Sequence, residues 1–250
     1  MLILLPPSET KRPGGRPSRP LDVGSLALPA LTDAREAVID ALIALSADED
    51  AAAAVLRLSA RQRGDIADNA ALRRAPTMPA IDRYTGVLFD ALDAATLEPA
   101  ARRWLGAHVL IHSAPFGPVA ALDAIPAYRL AAGTALPGIP PLRRHWAGAV
   151  SSALAAEAPA FVLDLRSEAY AALGPVPSGL RCAYLRVVTV GDDGTARALN
   201  HFNKAGKGAL VRALARTRPR ISTIDALLRW ATANDVVLRE GAAGEIELVV

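Results

Sequence analysis

Between Arg197 and Arg220 the chain reads "RALNHFNKAGKGALVRALARTRPR", with seven basic residues and no acidic one. Two of its three lysines, Lys204 and Lys207, lie here, and the third is Lys11; elsewhere arginine supplies the positive charge. A lysine presents a compact ammonium on a flexible stem, suited to meeting a phosphate as a point charge. Taken as a helix from about Ala205 to Thr217, the segment sets Lys204, Gly208, Arg212 and Arg216 four residues apart, with Lys207 alongside. Leu210, Ala213 and Leu214 fall on the opposite side, the one fit to pack. Gly206 and Gly208 near a helix start would let a ligand approach backbone N–H groups, where the helix dipole favours an anion. A phosphate site at the strand-to-helix junction is one reading, and a solvated basic face is the other.

Further polar candidates come from separate segments: Ser8, Glu9 and Lys11; Tyr84 and Thr85; Tyr128 and Arg129; Asp164, Ser167 and Tyr170; His201 and Asn203. If they converge, Lys204, Lys207 and Arg129 hold an anion while Glu9, Asp164 or His201 moves protons. Asp164, His201 and the Ser8 loop each follow a predicted strand, the position at which sites assemble in mixed α/β folds. Each also has a structural reading. Asp164 and Ser167 can cap the next helix, Tyr84 and Tyr170 can be core rings with bonded hydroxyls, and His201 can be a satisfied strand residue.

Other chemistries are disfavoured. The four histidines are scattered, and His108 and His112, four apart on a predicted strand, would be roughly 13 Å apart, so no metal site is expected. There is no phosphate-binding Walker loop, no dinucleotide glycine fingerprint and no GxSxG elbow, and no cofactor is expected. Cys182 is the only cysteine, which excludes an internal disulfide and suits a cytoplasmic chain. "MLILL" stops at Pro6-Pro7, too short for a signal peptide or a membrane span.

The elements that must position these residues are read from pattern. "MLILL" predicts a first buried strand, and "PPSETKRPGGRPSRP" a loop or lid. Asp33 and Glu36 have the spacing of a capping box ahead of Val38, Ile39, Leu42 and Leu45, which predicts an amphipathic helix. Alanine-rich helical patterns run to about residue 106, broken by "APTMPAIDRYTG". Buried strands are predicted at "HVLIHS" (108–113) and "FVLDL" (161–165), with a helix opened between them by Pro140 and Pro141. "LRCAYLRVVTV", "GDDG" and "TARALNHF" predict an antiparallel hairpin that delivers the chain to Lys204. A helix from Ser222 and a final strand "EIELVV" complete the chain. At 250 residues, 52% of them hydrophobic and 21% charged, with no evident linker, residues 1–250 read as one mixed α+β domain, a central mixed sheet with surrounding helices.

Five segments carry a resemblance: "MLILLPPSETK", "RYTGVLFDAL" (83–92), "IPAYRLAAGTALPGI" (125–139), "LRSEAYAAL" (165–173) and "NHFNKAGKGALVRAL" (200–214). Together and in this order the chain resembles the YaaA family of bacterial peroxide-stress proteins, in an actinobacterial-type form. The resemblance implies a single-domain mixed α/β fold with a positively charged cleft and a helix-hairpin-helix-like element. It further implies DNA binding and the limiting of intracellular iron under peroxide stress. "ALPGIPPLRR" has the look of such a hairpin, although Pro140 and Pro141 remove two N–H donors, and a plain helix start is the alternative. Where the family pattern has Leu-Trp-Gly and an Arg-Pro pair, this chain has Pro115-Phe116-Gly117 and Ala120-Ala121, which removes an arginine.

Two functions are expected. The first is DNA binding, to duplex or distorted DNA with little sequence preference, through phosphates met by Ser8, Lys11, Tyr84, Thr85, Arg129, Ser167, Tyr170, Asn203, Lys204, Lys207 and Arg212. The second is an enzyme acting on a nucleotide, nucleoside or other small anionic substrate in the same pocket. A net charge of +3 permits either.

Overall fold

The computed structural model describes residues 1–17, 19–190, 196–197 and 200–250, and for 190, 196–197 and 200–202 the backbone alone. Strand β1 (Leu2–Leu5) leads through a long loop into helices α1 (Thr32–Leu45), α2 (Glu49–Val55) and α3 (Asp65–Ala70). The two-residue strand β2 (Met78–Pro79) and short α4 (Ala80–Arg83) precede α5 (Val87–Leu92) and α6 (Pro99–His108). Strands β3 (Val109–Ser113), β4 (Gly117–Ala120) and β5 (Ala124–Ile125) are followed by α7 (Leu142–Glu157), β6 (Val162–Asp164) and α8 (Glu168–Ala171). The remainder is β7 (Cys182–Val190), β8 (Ala196–Arg197), α9 (Asn200–Thr217), α10 (Ile224–Thr232), β9 (Leu238–Glu240) and β10 (Glu245–Val249).

The main sheet has the order β4-β3-β1-β6-β7-β10-β9, with β8 paired to β7, while β2 and β5 form a separate antiparallel pair. Strands β3, β1, β6, β7 and β10 are parallel, and β4, β8 and β9 attach antiparallel. Helices flank this mostly parallel sheet, a mixed α/β arrangement. Such sheets are covered on both faces, so their strands are continuous apolar runs. Accordingly Ile3, Leu4, Leu5, Val109, Ile111, Val162 and Leu163 are all almost wholly inaccessible.

Strand β1 lies at the centre, with Leu4 opposite Leu110 on one side and Asp164 on the other. The hairpin from β3 to β4 turns at Gly117, whose φ of 61° is left-handed and whose missing Cβ would sit 3.2 Å from the Trp146 ring. Trp146 is fully buried on α7, and its indole N–H donates to the Ala114 carbonyl at 3.0 Å.

Several boundaries differ from the sequence reading. Asp33 and Glu36 form no capping box: α1 begins at Thr32 without a side-chain cap, and Glu36 pairs instead with Arg73 at 2.6 Å. The cap of α10 is Thr223, one residue beyond Ser222, accepting from the Ala226 N–H at 3.1 Å. Ser167 stands at the N-cap of α8 but accepts no capping bond. The predicted hairpin exists as the pairing of Thr189 and Val190 with Arg197 and Ala196, although its turn lies outside the described residues.

The largest difference concerns α9, which begins at Asn200 rather than near Ala205. Its glycines serve packing. A Cβ on Gly208 would lie 2.1 Å from the Leu88 carbonyl oxygen on α5, and one on Gly206 would lie 2.9 Å from Val250 and 3.2 Å from Leu248. The stripe expected to be a cationic face is therefore partly the face that packs on α5. Arg212 confirms the orientation: it donates to the carbonyls of Leu92 and Asp93 at 2.8 and 2.7 Å and to Thr96 Oγ1 at 2.9 Å. It closes the end of α5 instead of facing a ligand.

Two glycine substitutions separate packing from propensity. Gly208→Ala is expected to lower unfolding free energy by about 1–3 kcal/mol, the usual range for overpacking. Exposed Gly148 on α7 has nothing within 4 Å of the place an added methyl would take, so Gly148→Ala is expected to add about 0.4–1 kcal/mol. Urea denaturation reads both, and equal signs would contradict the packing account.

Candidate functional site

Chain order reverses at β1, whose neighbours β3 and β6 are reached in opposite directions along the sheet. Crevices outside the carboxyl ends of strands at such a switch point are where open α/β sheets bind ligands. A cleft of about 1010 Å³ opens there. Its walls are the loop after β1 (Ser8, Glu9, Thr10), the start of α5 (Thr85 to Phe89), the segment after β6 (Ser167 to Tyr170), β7 (Tyr184 to Val188) and the first turns of α9 (Asn203, Lys204, Lys207). Strand β7 forms a wall because it pairs with β6 only as far as Tyr184 and continues beyond it.

Beneath the cleft lies a buried charged network. The Arg166 guanidinium, fully inaccessible, donates from Nε to Asp164 Oδ1 at 2.9 Å and from Nη2 to Oδ2 at 2.7 Å. Its Nη1 donates to the Gly174 carbonyl and to His112 Nδ1, both at 2.9 Å. Arginine has no acceptor, so His112 Nδ1 must be unprotonated and Nε2 must carry the hydrogen. Burial, reinforced by the charge of Arg166, holds the His112 pKa well below its ordinary value, which keeps the ring neutral. Asp164 therefore acts as a structural partner with both oxygens engaged, which leaves it poorly placed to carry protons.

Above this floor the cleft charges divide into paired and unpaired. Arg186 pairs with Glu245 at 2.7 Å and with Glu168 at 3.8 Å. Glu9 pairs with Arg129 at 3.1 Å. Lys204 is exposed at the mouth and Lys207 is 6% exposed, and neither has an ion-pair or hydrogen-bond partner among the described residues. The nearest aromatic face to Lys207 is Tyr184, at 6.0 Å. Burial pulls the Lys207 pKa down to about 8 against the attraction of Asp164, and Arg186 pushes the same way as burial. With three cations and two carboxylates on its walls, the cleft is only mildly positive.

Ser8, Thr10 and Thr85 form a hydroxyl cluster: Thr85 Oγ1 donates to Thr10 Oγ1 at 3.0 Å, and the Ser8 and Thr10 hydroxyls lie 3.2 Å apart. Gly86 (φ 97°) permits this, since a Cβ there would lie 3.4 Å from Ser8 Oγ. Lys11 sits under the loop, with Nζ donating to the Ser8 and Glu9 carbonyls at 3.1 Å and lying 4.0 Å from the Tyr128 ring centroid. It braces the cleft wall without lining the cleft. Tyr84 is a buried ring whose hydroxyl meets that of Tyr128 at 2.8 Å.

The structure thus brings Ser8, Glu9, Thr85, Ser167, Tyr170, Asn203, Lys204 and Lys207 together. Arg129 reaches the site through Glu9, and Lys11 through its loop. Arg212 and Tyr84 lie in packing, and the His201 side chain is outside the described residues. Sequence reasoning missed Arg166, His112, Tyr184 and Arg186. A signal for the first existed: an arginine two residues after Asp164, at the end of an apolar strand, has few ways to be buried except against that aspartate. Phe116 is buried edge-on to Tyr128 at 5.4 Å, and Ala121 lies in the core, so neither departure from the family pattern lines the cleft. After the Leu136–Ile139 turn, the N–H groups of Arg144 and His145 in the first turn of α7 both donate to the Pro141 carbonyl. Among the described residues no group of three His, Cys, Asp or Glu could hold a metal ion, and no helix is long and apolar enough to cross a membrane.

The family described as Peroxide stress protein YaaA matches residues 1–235. The chain is 47% identical to a UPF0246 protein of Corynebacterium efficiens over 253 residues, covering 99% of this chain and 95% of that one. It is 47% identical over 219 residues to a UPF0246 protein of Streptomyces coelicolor, covering 87% and 84%. With a UPF0246 protein of Corynebacterium glutamicum the identity is 43% over 244 residues, covering 96% and 95%.

Breaking the floor from one side leaves a buried charge alone. Arg166→Met is expected to lower stability by about 3–5 kcal/mol, and adding Asp164→Leu to recover part of that loss. A double-mutant cycle by chemical denaturation checks this, and simple additivity would show that the pair does not act as a unit.

Proposed function

We propose, from the premise that this chain belongs to the peroxide stress protein YaaA family, that it acts by holding a phosphate-bearing ligand of nucleotide size in the cleft. The observation that carries this reading is Lys207: a nearly buried ammonium, facing a cleft, with no ion-pair or hydrogen-bond partner among the described residues. Buried charges are ordinarily paired, and an unpaired one is a standing demand for a counter-ion. Lys204, three residues earlier on the same helix face, supplies a second charge at the mouth. Val87, Leu88, Phe89, Tyr184 and Val187 offer an apolar wall for the remainder of the ligand, and the Ser8, Thr10 and Thr85 hydroxyls offer polar contacts. The volume is of the order usual for small-molecule sites, about 300–1,000 Å³.

The same lysines would serve DNA if a nucleotide entered the cleft from a distorted strand. An extended grip on duplex DNA has less support, because Arg212 is engaged in packing and Arg186 is already paired. A thiol-based peroxide sensor has less support still. Cys182 is half-buried and its thiol is pushed up to about 11, first by burial and then by Asp164. Reactive thiols have depressed values.

Fluorescence anisotropy with labelled mononucleotides and with bulged duplex DNA, titrated over salt, should show binding that weakens on Lys204→Met and Lys207→Met; absence of binding by both ligand classes at low salt would sink the reading. Above a pKa of about 8 the Lys207 ammonium is lost, so affinity should be flat from about pH 7, where the phosphate is fully ionised, to that value and fall by up to roughly tenfold per unit above it. In the empty protein the sign is opposite: the unfolded chain binds the extra proton between about 8 and 10.5, so this group makes stability rise over that range. Separately, alkylation of Cys182 at neutral pH should run roughly a hundred times slower than that of free cysteine.

A further inference from the structure

We infer that Lys207 is also a carbonyl nucleophile, and that the ligand class of the cleft is a phosphate-bearing aldehyde or ketone which forms an imine with Lys207 Nζ. This rests on the reading of the cleft as a phosphate site and goes one step beyond it.

The choice of residue is the first support. The chain has three lysines among 28 lysines and arginines, and it uses arginine for each of its fully buried cations, Arg35, Arg83 and Arg166. A site needing only a fixed positive charge would be served by the same residue, whereas a guanidinium cannot give up its proton and add to a carbonyl. Surroundings are the second support. Asp164 in the floor attracts the Lys207 ammonium, but both its oxygens are held by Arg166 and it makes no ion pair with the amine, so burial outweighs it. Arg186 on β7 adds a like charge, Tyr184 presents its ring, and Lys204 is the other cation on α9. Desolvation beside cationic groups is the arrangement that frees a lysine for nucleophilic work near neutral pH.

Spacing is the third support. Residues three apart on a helix have Cβ atoms about 5–6 Å apart, so exposed Lys204 can hold the phosphate while Lys207, deeper, meets a carbonyl a few bonds away. The neutral amine adds its lone pair to the carbonyl carbon, and the C=O π pair moves to oxygen, which takes a proton to give a carbinolamine. The carbinolamine then loses its hydroxyl, with one further proton, as water. The nitrogen lone pair forms the C=N bond, so aldehyde plus lysine ammonium gives protonated imine plus one water. Glu9 and Glu168 lie on the same walls and can relay the protons with solvent.

The test uses the full chain with two probes, glyceraldehyde 3-phosphate and an oligonucleotide carrying an aldehydic abasic site, each trapped with sodium cyanoborohydride and mapped by peptide mass spectrometry. Three lysines and the N-terminal amine are the possible acceptors, so assignment is unambiguous. The expected result is an adduct on Lys207 formed roughly tenfold or more faster than on Lys11 or Lys204, lost in Lys207→Arg. The wild-type chain should bind a carbonyl-free analogue, glycerol 3-phosphate or the reduced abasic oligonucleotide, by anisotropy or calorimetry. If Lys207→Arg does not fold, Lys207→Met with a native circular dichroism spectrum replaces it in the trapping experiment alone. Which probe reacts distinguishes a free sugar phosphate from a DNA source. Analogue binding without an adduct on Lys207, or an adduct spread evenly over the lysines, overturns the imine and leaves the phosphate reading standing. Failure of both carbonyl-free analogues to bind overturns the phosphate reading itself.

Discussion

Everything at the cleft depends on how closely α9 lies to its neighbours. At Gly208 the helix approaches the Leu88 carbonyl of α5 to a distance that no side chain would permit, and at Gly206 it rests on Leu248 and Val250. Wedged in this way, its first turns have only one direction in which to project Asn203, Lys204 and Lys207, into the space between β7 and the loop after β1. Leu210, Val211 and Leu214, all buried, hold the rest of the helix in place. The position of two ammonium groups is thus set by the absence of two methyl groups.

The contrast between arginine and lysine runs through the molecule. Arg35 places its guanidinium among the carbonyls of Ala27, Leu28, Phe116 and Pro118, tying α1 to the β3–β4 turn. Arg83 does the same for Gly14, Pro76 and Ile125, pinning the N-terminal loop. Five donors in a rigid fork can be satisfied by backbone oxygens alone, which makes a buried arginine a cross-link between loops. Lys11 achieves a smaller version with two carbonyls and a ring face. Among the described residues Lys207 has no such set of acceptors, and that lack sets it apart from the structural cations.

Much of this is legible in the sequence. The apolar runs at 2–5, 109–113 and 162–164 mark the central strands because a parallel sheet covered on both faces leaves no alternation to confuse with a helix. Pro140 and Pro141 mark the start of α7, which begins just after them at Leu142. The lysines at 204 and 207, the Ser8 loop, Thr85 and Tyr170 are visible as residue types that the local pattern does not require. The hidden part is tertiary. A glycine in a helix that admits a ligand and one that admits another helix have the same local sequence, so Gly208 misleads, and Arg212 with it. The start of α9 escapes for a related reason: "NHFN" has no strong helix propensity and is drawn into the helix by the residues C-terminal to it. The Arg166–Asp164–His112 floor joins positions 54 residues apart in the chain, and local spacing carries no record of such a meeting.

The position of β1 in the middle of the sheet also bears on how the protein comes to be folded. Residues 2–5 are made long before β6, one of their two sheet partners, where Leu2 lies opposite Val162, and β6 in turn needs β7. Parallel pairings across such a separation are slow, because a long loop must close before any hydrogen bond rewards it. The central strand can pair with β3 once about 110 residues are made, but its other edge stays open until some 160 are, on the order of ten to thirty seconds at ordinary translation rates. During that interval "LILL" is an exposed apolar stretch, and the prolines at 6 and 7 directly behind it limit how far it can extend as a strand. The last half of the chain both builds the cleft and releases the first strand from that hazard.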